Sequence, residues 1–179
     1  MNDKIICICY SRTGKTRRVM RELAAALDCE LVFVRDVVNR RGTLGALRCG
    51  LDAMRKKTSA INRLMMKRPL SDYELAILGT PVWAGRCSSV MRGFLKRRGY
   101  ELEDVAYVLT HGSEEQYRAV FDQMDQYLQK PHVADVSLCP GSAGYEYWRD
   151  QFLKTVADRL NIELLPIPEL DGEDEETES

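Results

Sequence analysis

Only two histidines occur in the 179 residues, and the six cysteines (Cys7, Cys9, Cys29, Cys49, Cys87, Cys139) are scattered, with no C-x-x-C pair. No zinc spacing and no disulfide framework are therefore present, and free thiols in a reducing compartment are expected. No apolar run approaches the length of a membrane span. Met1-Asn2-Asp3-Lys4 leads almost at once into an apolar run, which leaves no room for a signal peptide and predicts a cytoplasmic protein. The glycines never fall into G-x-G-x-x-G, so the dinucleotide fingerprint is excluded. No internal repeat and no linker divide the chain.

What is there fits one soluble globular domain: 45% hydrophobic residues, 30% charged, and a length sufficient for a substantial core. The net charge of −1 conceals a split. Residues 169–179 hold seven acids and no base; without them 26 bases face 20 acids, a body of about +6. The domain is expected over 1–168, with 169–179 an acidic, disordered tail. Between Arg35 and Arg68 ten Lys or Arg oppose only Asp36 and Asp52. Such a run suits nucleic acid, an anionic membrane, an anionic cofactor or simply a solvated helix face. The solvated face is the commoner case for such a run, and neither nucleic acid nor a membrane is expected as a partner.

The most informative stretch is Tyr10-Ser11-Arg12-Thr13-Gly14-Lys15-Thr16. It follows Ile5-Ile6-Cys7-Ile8-Cys9, which reads as a buried strand. It precedes Thr16, Val19, Met20, Leu23, Ala24 and Leu27 at helical spacing. A hydroxyl-rich loop at a helix N-terminus gathers unpaired N–H groups and the positive dipole end, which favours an anion such as phosphate. Ser11, Thr13 and Thr16 can donate, Gly14 permits close approach, and Arg12 and Lys15 add charge. An ordinary N-cap by Ser11 or Thr13 is the plainer reading. A P-loop would need Gly where Cys9 stands, and the later strands end in Gly79-Thr80 and Thr110-His111 rather than a magnesium-binding Asp. A nucleoside triphosphate is thereby excluded.

The rest alternates strand and helix. Strands are predicted at 31–34, 75–79, 105–110 and 134–139. Helices are predicted at 44–61, 87–98, 114–129 and a last one marked by Trp148, Phe152, Val156 and Leu160. That alternation predicts an α/β fold with a doubly wound parallel sheet. Ligands of such sheets lie outside the carboxyl ends of the strands, here at loops 10–16, 80–86 and 110–117.

Two of these loops carry a resemblance. Ser11-Arg12-Thr13-Gly14-Lys15-Thr16 is similar to the [ST]-x-T-G-x-T phosphate loop of the flavodoxin family, and Gly79-Thr80-Pro81-Val82-Trp83-Ala84-Gly85 resembles that family's segment bordering the flavin ring. The resemblance spans roughly residues 4–160. It implies a flavodoxin-like, five-stranded sheet in the order 2-1-3-4-5 and FMN as cofactor. It also implies contacts from Thr80, Pro81, Val82, Trp83, Ala84 and Gly85, with Trp83 stacking on the ring; Trp83 as plain core is the alternative.

The third loop departs from the pattern, reading Thr110-His111-Gly112-Ser113 and, further on, Tyr117. Gly112 and Ser113 can offer backbone donors. His111 can meet the ring or substrate, or merely cap; Tyr117 can wall the ring or fill the core. Cys87 reads as a redox thiol or an inert buried one. Three functions stay open. The first is a reductase using NAD(P)H with a quinone or similar small acceptor. The second is an electron carrier docking a redox partner protein. The third is a flavin-less binding module. A homodimer is compatible with each.

Overall fold

The computed structural model describes residues 1–35, 64–113 and 115–168. The helix predicted over 44–61, most of the basic stretch and the acidic tail lie outside the described residues. The elements are β1 (Asn2–Cys9), α1 (Lys15–Ala26), β2 (Cys29–Phe33), β3 (Leu75–Trp83), β4 (Arg86–Cys87), α2 (Ser89–Arg98), β5 (Asp104–Thr110), α3 (Arg118–Leu128), β6 (Ala134–Leu138) and α4 (Tyr145–Leu160).

Five strands run parallel in the order β2-β1-β3-β5-β6, and β4 pairs antiparallel with β3. Leaving the two-residue β4 aside, this is the expected 2-1-3-4-5 order. The buried stretches Ile5–Cys9 of β1 and Leu75–Leu78 of β3 are apolar at every position because helices cover both faces. Successive residues of β1 serve opposite cores. Ile6 and Ile8 pack with Leu78, Phe94, Tyr107 and Phe121 under α2 and α3, whereas Ile5, Cys7 and Cys9 pack with Met20, Leu23, Ile77 and Phe152 under α1 and α4. At Gly79 an added Cβ would lie 2.4 Å from Met20 Sδ, so the missing side chain is what lets α1 lie against β3.

The boundaries show where local signals were overridden. The helix expected from Cys87 starts at Ser89, because Arg86 and Cys87 pair back onto Trp83 and Val82. Ser88 caps α2, its hydroxyl accepting from Met91 N at 3.1 Å. The helix expected from 114 starts at Arg118, since Tyr117 is left-handed at φ 47°. All four residues expected to mark the last helix lie on α4; Trp148 is 48% exposed, and Phe152, Leu153, Val156 and Ala157 form its buried stripe. Beyond α4 the chain returns along α1, where Leu165 N donates to Ala26 O at 2.8 Å. The Met1 ammonium pairs with Asp28 at the same end, at 2.7 Å.

Candidate functional site

At the carboxyl end of the sheet three loops follow β1, β3 and β5. Tyr10 fixes the first, donating its N–H to Gly79 O at 3.0 Å. Gly14, at φ 85°, turns the chain into α1 in a left-handed conformation that a side chain would resist. No side chain among the described residues caps this helix, and its first turn contains no acid. The N–H groups of that turn lack intrahelical acceptors by construction and carry the positive end of the dipole. Beside them the Ser11 hydroxyl oxygen is buried and has no hydrogen-bond partner among the described residues. Such a group is costly unless something outside the chain completes it. Thr13 and Lys15 are exposed and Arg12 half-buried.

Thr16 is placed differently from its expected role as a free donor. Its hydroxyl lies 2.7 Å from that of Thr110, and both residues are buried. One hydroxyl donates to the other, so the pair has a single proton left for a further acceptor. The bond joins the start of α1 to the end of β5.

The second loop is a two-residue hairpin. Val82 faces Cys87 and Trp83 faces Arg86, with Ala84 (φ 46°) and Gly85 (φ 66°) at the tip. Two consecutive positive φ angles are those of a type I′ turn, which matches strand twist but costs Ala84 strain. Thr80 is fully buried, its hydroxyl oxygen 3.0 Å from Ser88 Oγ and accepting from Ser88 N, so it anchors the hairpin to α2. Pro81 extends β3 beside Thr110. Trp83 is half-buried and meets Tyr10 edge to face, centroids 5.6 Å apart at 87°.

In the third loop His111 is held at both ring nitrogens, Nδ1 by Ser113 O at 2.7 Å and Nε2 by Ser137 Oγ at 2.8 Å. A carbonyl only accepts, so Nδ1 carries the proton and, in the neutral ring, Nε2 accepts from Ser137. Burial lowers the pKa of this imidazole, outweighing the hydrogen bonds and Glu115, which act the other way. The Tyr117 hydroxyl bonds Ser113 Oγ at 2.9 Å and its ring lies 4.9 Å from that of His111. Both aromatic residues are therefore engaged within the loop. Gly112 is exposed, with nothing within 4 Å of an added Cβ.

The electrostatics have one sign across the first two loops. Residues 10–18 hold Arg12, Lys15, Arg17 and Arg18, residues 80–88 hold Arg86, and neither range has an acid. Arg17 lies over the Phe33 ring, 5.0 Å from its centroid, and Arg18 pairs with Glu22 at 3.6 Å. Cys87 is buried and its thiol is pushed up to about 11, which fits the inert reading. Two residues of this region were missed in the sequence. Tyr10 supports Trp83, and Ser137 holds His111; the lone hydroxyl in the apolar run of β6 was the available signal for the latter. Among the described residues no group of three or more His, Cys, Asp or Glu could hold a metal ion, and no helix is long and apolar enough to cross a membrane.

No protein-family model matches the sequence, and no curated protein does. Solved structures do. A flavoprotein from Lactobacillus acidophilus in complex with FMN superposes at a TM-score of 0.60 and 17% identity, over 82% of this chain and 99% of its own. A Bacteroides eggerthii protein assigned to the flavoproteins gives 0.69 at 17% identity, over 90% and 100%. One from Bacteroides uniformis, assigned likewise, gives 0.68 at 17%, over 87% and 99%. At this identity the likeness establishes the fold, which is flavodoxin-like.

Proposed function

We propose that this chain binds FMN at the three loops and acts as an NAD(P)H-dependent oxidoreductase, passing electrons to a quinone or similar small acceptor. The observation that carries the reading is the buried Ser11 hydroxyl, without a partner among the described residues, beside the N-terminus of α1, which none of their side chains caps. A monophosphate would supply acceptor oxygens to Ser11, to the first-turn N–H groups and to the spare proton of the Thr16–Thr110 pair. The loop is too short to wrap a triphosphate, and the FMN complex of the Lactobacillus acidophilus protein, which shares the fold, supports the same ligand. Bound FMN would supply the capacity to accept an electron pair from NAD(P)H and deliver it onward.

The residues present suit that group. Ser11, Thr13, Gly14, Lys15 and Thr16 would hold the phosphate, with Arg12 adding charge. Trp83, backed by Tyr10, would offer its face to the ring, with Pro81, Val82, Ala84 and Gly85 beside it. Gly112 and Ser113 would contribute backbone N–H groups from a loop already fixed by His111 and Tyr117. Positive charge from Arg12, Lys15 and Arg86 stabilises the fully reduced, anionic cofactor, which favours two-electron transfer over one-electron shuttling. The same charges attract the phosphates of NADPH.

Two measurements test the proposal in order. Titration calorimetry with FMN is expected to show one saturable site; no binding overturns the reading. Anaerobic addition of NADPH or NADH to the yellow complex is then expected to bleach it, and a benzoquinone to restore the colour. Binding without bleaching by either nucleotide replaces the reductase with a carrier of electrons between proteins.

A further inference from the structure

Two thiols outside the three loops form a pair. Cys7 on β1 and Cys29, the first residue of β2, bring their sulfurs to 3.6 Å. Cys7 is completely buried, whereas Cys29 is part-exposed. The Cys7 thiol is pushed well up, first by its hydrogen bond to Cys29 and then by burial, so Cys7 keeps its proton. A hydrogen bond links the two sulfurs, and either can be its donor. Access gives the two sulfurs different parts, Cys29 outward where a peroxide can reach it and Cys7 behind it.

The backbone at this point is also able to give. A disulfide requires sulfurs about 2.05 Å apart, so the pair must close by roughly 1.5 Å. Cys29 lies at an irregularity of the β1–β2 ladder: it pairs with Asn2, and the next pair along is Ile6 with Glu30. The beginning of this strand is thus not locked into the regular register that holds Cys7 against Leu31.

We propose that Cys7 and Cys29 are a modification site, a dithiol that a hydroperoxide converts into an intramolecular disulfide between β1 and β2. The Cys29 thiolate attacks one peroxide oxygen, an S–O bond forms as the O–O bond breaks, and the departing hydroxide takes a proton to become water. The Cys7 sulfur then attacks the sulfenic sulfur, forming S–S, while the hydroxyl leaves with the Cys7 proton as a second water. Two thiols lose two electrons and one hydrogen peroxide gains them. The bond joins residues 22 positions apart and encloses the whole Tyr10–Thr16 loop together with α1. Oxidation would thereby cross-link the chain on either side of the candidate anion site. This inference does not depend on the function proposed above.

The test uses the full chain exposed to hydrogen peroxide, followed by alkylation, proteolysis and mass spectrometry. Wild-type protein is expected to lose two hydrogens, to yield a peptide linking Cys7 to Cys29, and to recover both thiols with dithiothreitol. Cys7→Ser is expected to stop at a sulfenic acid on Cys29 that dimedone traps, and Cys29→Ser to form neither product. The wild-type peptide map needs no variant to fold. Both cysteines remaining alkylatable after peroxide, or a cross-link that maps to other cysteines, overturns the proposal.

Discussion

Thr16, in the first turn of α1, and Thr110, the last residue of β5, are joined by a 2.7 Å hydrogen bond between buried hydroxyls. They are 94 positions apart. One bond thus sets the first loop against the third, across the intervening strand β3.

Replacing either threonine by valine leaves the other hydroxyl buried and unpaired, at a cost of about 1–3 kcal/mol. Thr16→Val with Thr110→Val removes both groups and is expected to cost less than the sum of the singles. Urea denaturation of the four proteins gives the coupling directly. Strictly additive losses would show that the hydroxyls do not interact in solution.

Ser11→Ala is expected to move stability and binding in opposite directions. Without ligand the variant sheds a buried, unsatisfied hydroxyl and should melt at the same temperature or higher. With FMN it loses a hydrogen bond to a charged group, about 1.5–3 kcal/mol of affinity. Thermal melts of the ligand-free proteins, paired with calorimetric titration, read both effects. A Ser11→Ala apoprotein that is markedly less stable would assign the hydroxyl a structural partner.

Trp83 should report on the ring. Trp148 is the other tryptophan, and at 48% exposure its replacement by Phe removes little buried surface. In a Trp148→Phe background, emission is expected to be strongly quenched on adding FMN, and Trp83→Ala to weaken binding by about 1–3 kcal/mol. Unchanged emission at saturating FMN would remove Trp83 from the ring.

His111 should make the fold acid-sensitive. Burial holds its folded pKa below the ordinary imidazole value of 6.5. Below that value the unfolded chain binds the proton that the folded chain refuses, so stability is complete above it and falls as the pH drops toward the folded pKa. His111→Asn is expected to flatten that part of the profile, measured as urea midpoints between neutral and mildly acidic pH. An identical slope in wild type and variant would mean that another group titrates.

Much of this architecture was legible because its signals are local. Ile5–Cys9 and Leu75–Leu78 are apolar on both faces, as strands between two helical layers must be. The Ser11–Thr16 loop is punctuated by a glycine whose left-handed φ the turn requires. The hairpin after β3 was not legible, because Ala84 occupies a position where Asn or Gly would have announced a type I′ turn. Trp148 falls at helical spacing from Phe152, yet Leu153 and Ala157 complete the buried stripe and leave the indole at its border. The tethering of His111 by Ser137 links residues 26 positions apart, and although Ser137 is the one hydroxyl of β6, nothing in the sequence pairs it with His111.

The return of the chain along α1 has a practical side. The Met1 ammonium and the Leu165 amide both meet the last turn of that helix or the residues just after it, at Asp28 and Ala26. The 12-residue helix is about 18 Å long, and its other end carries Gly14. A protein grafted to a bead or electrode through this pole would stand with all three loops turned toward the bulk solution.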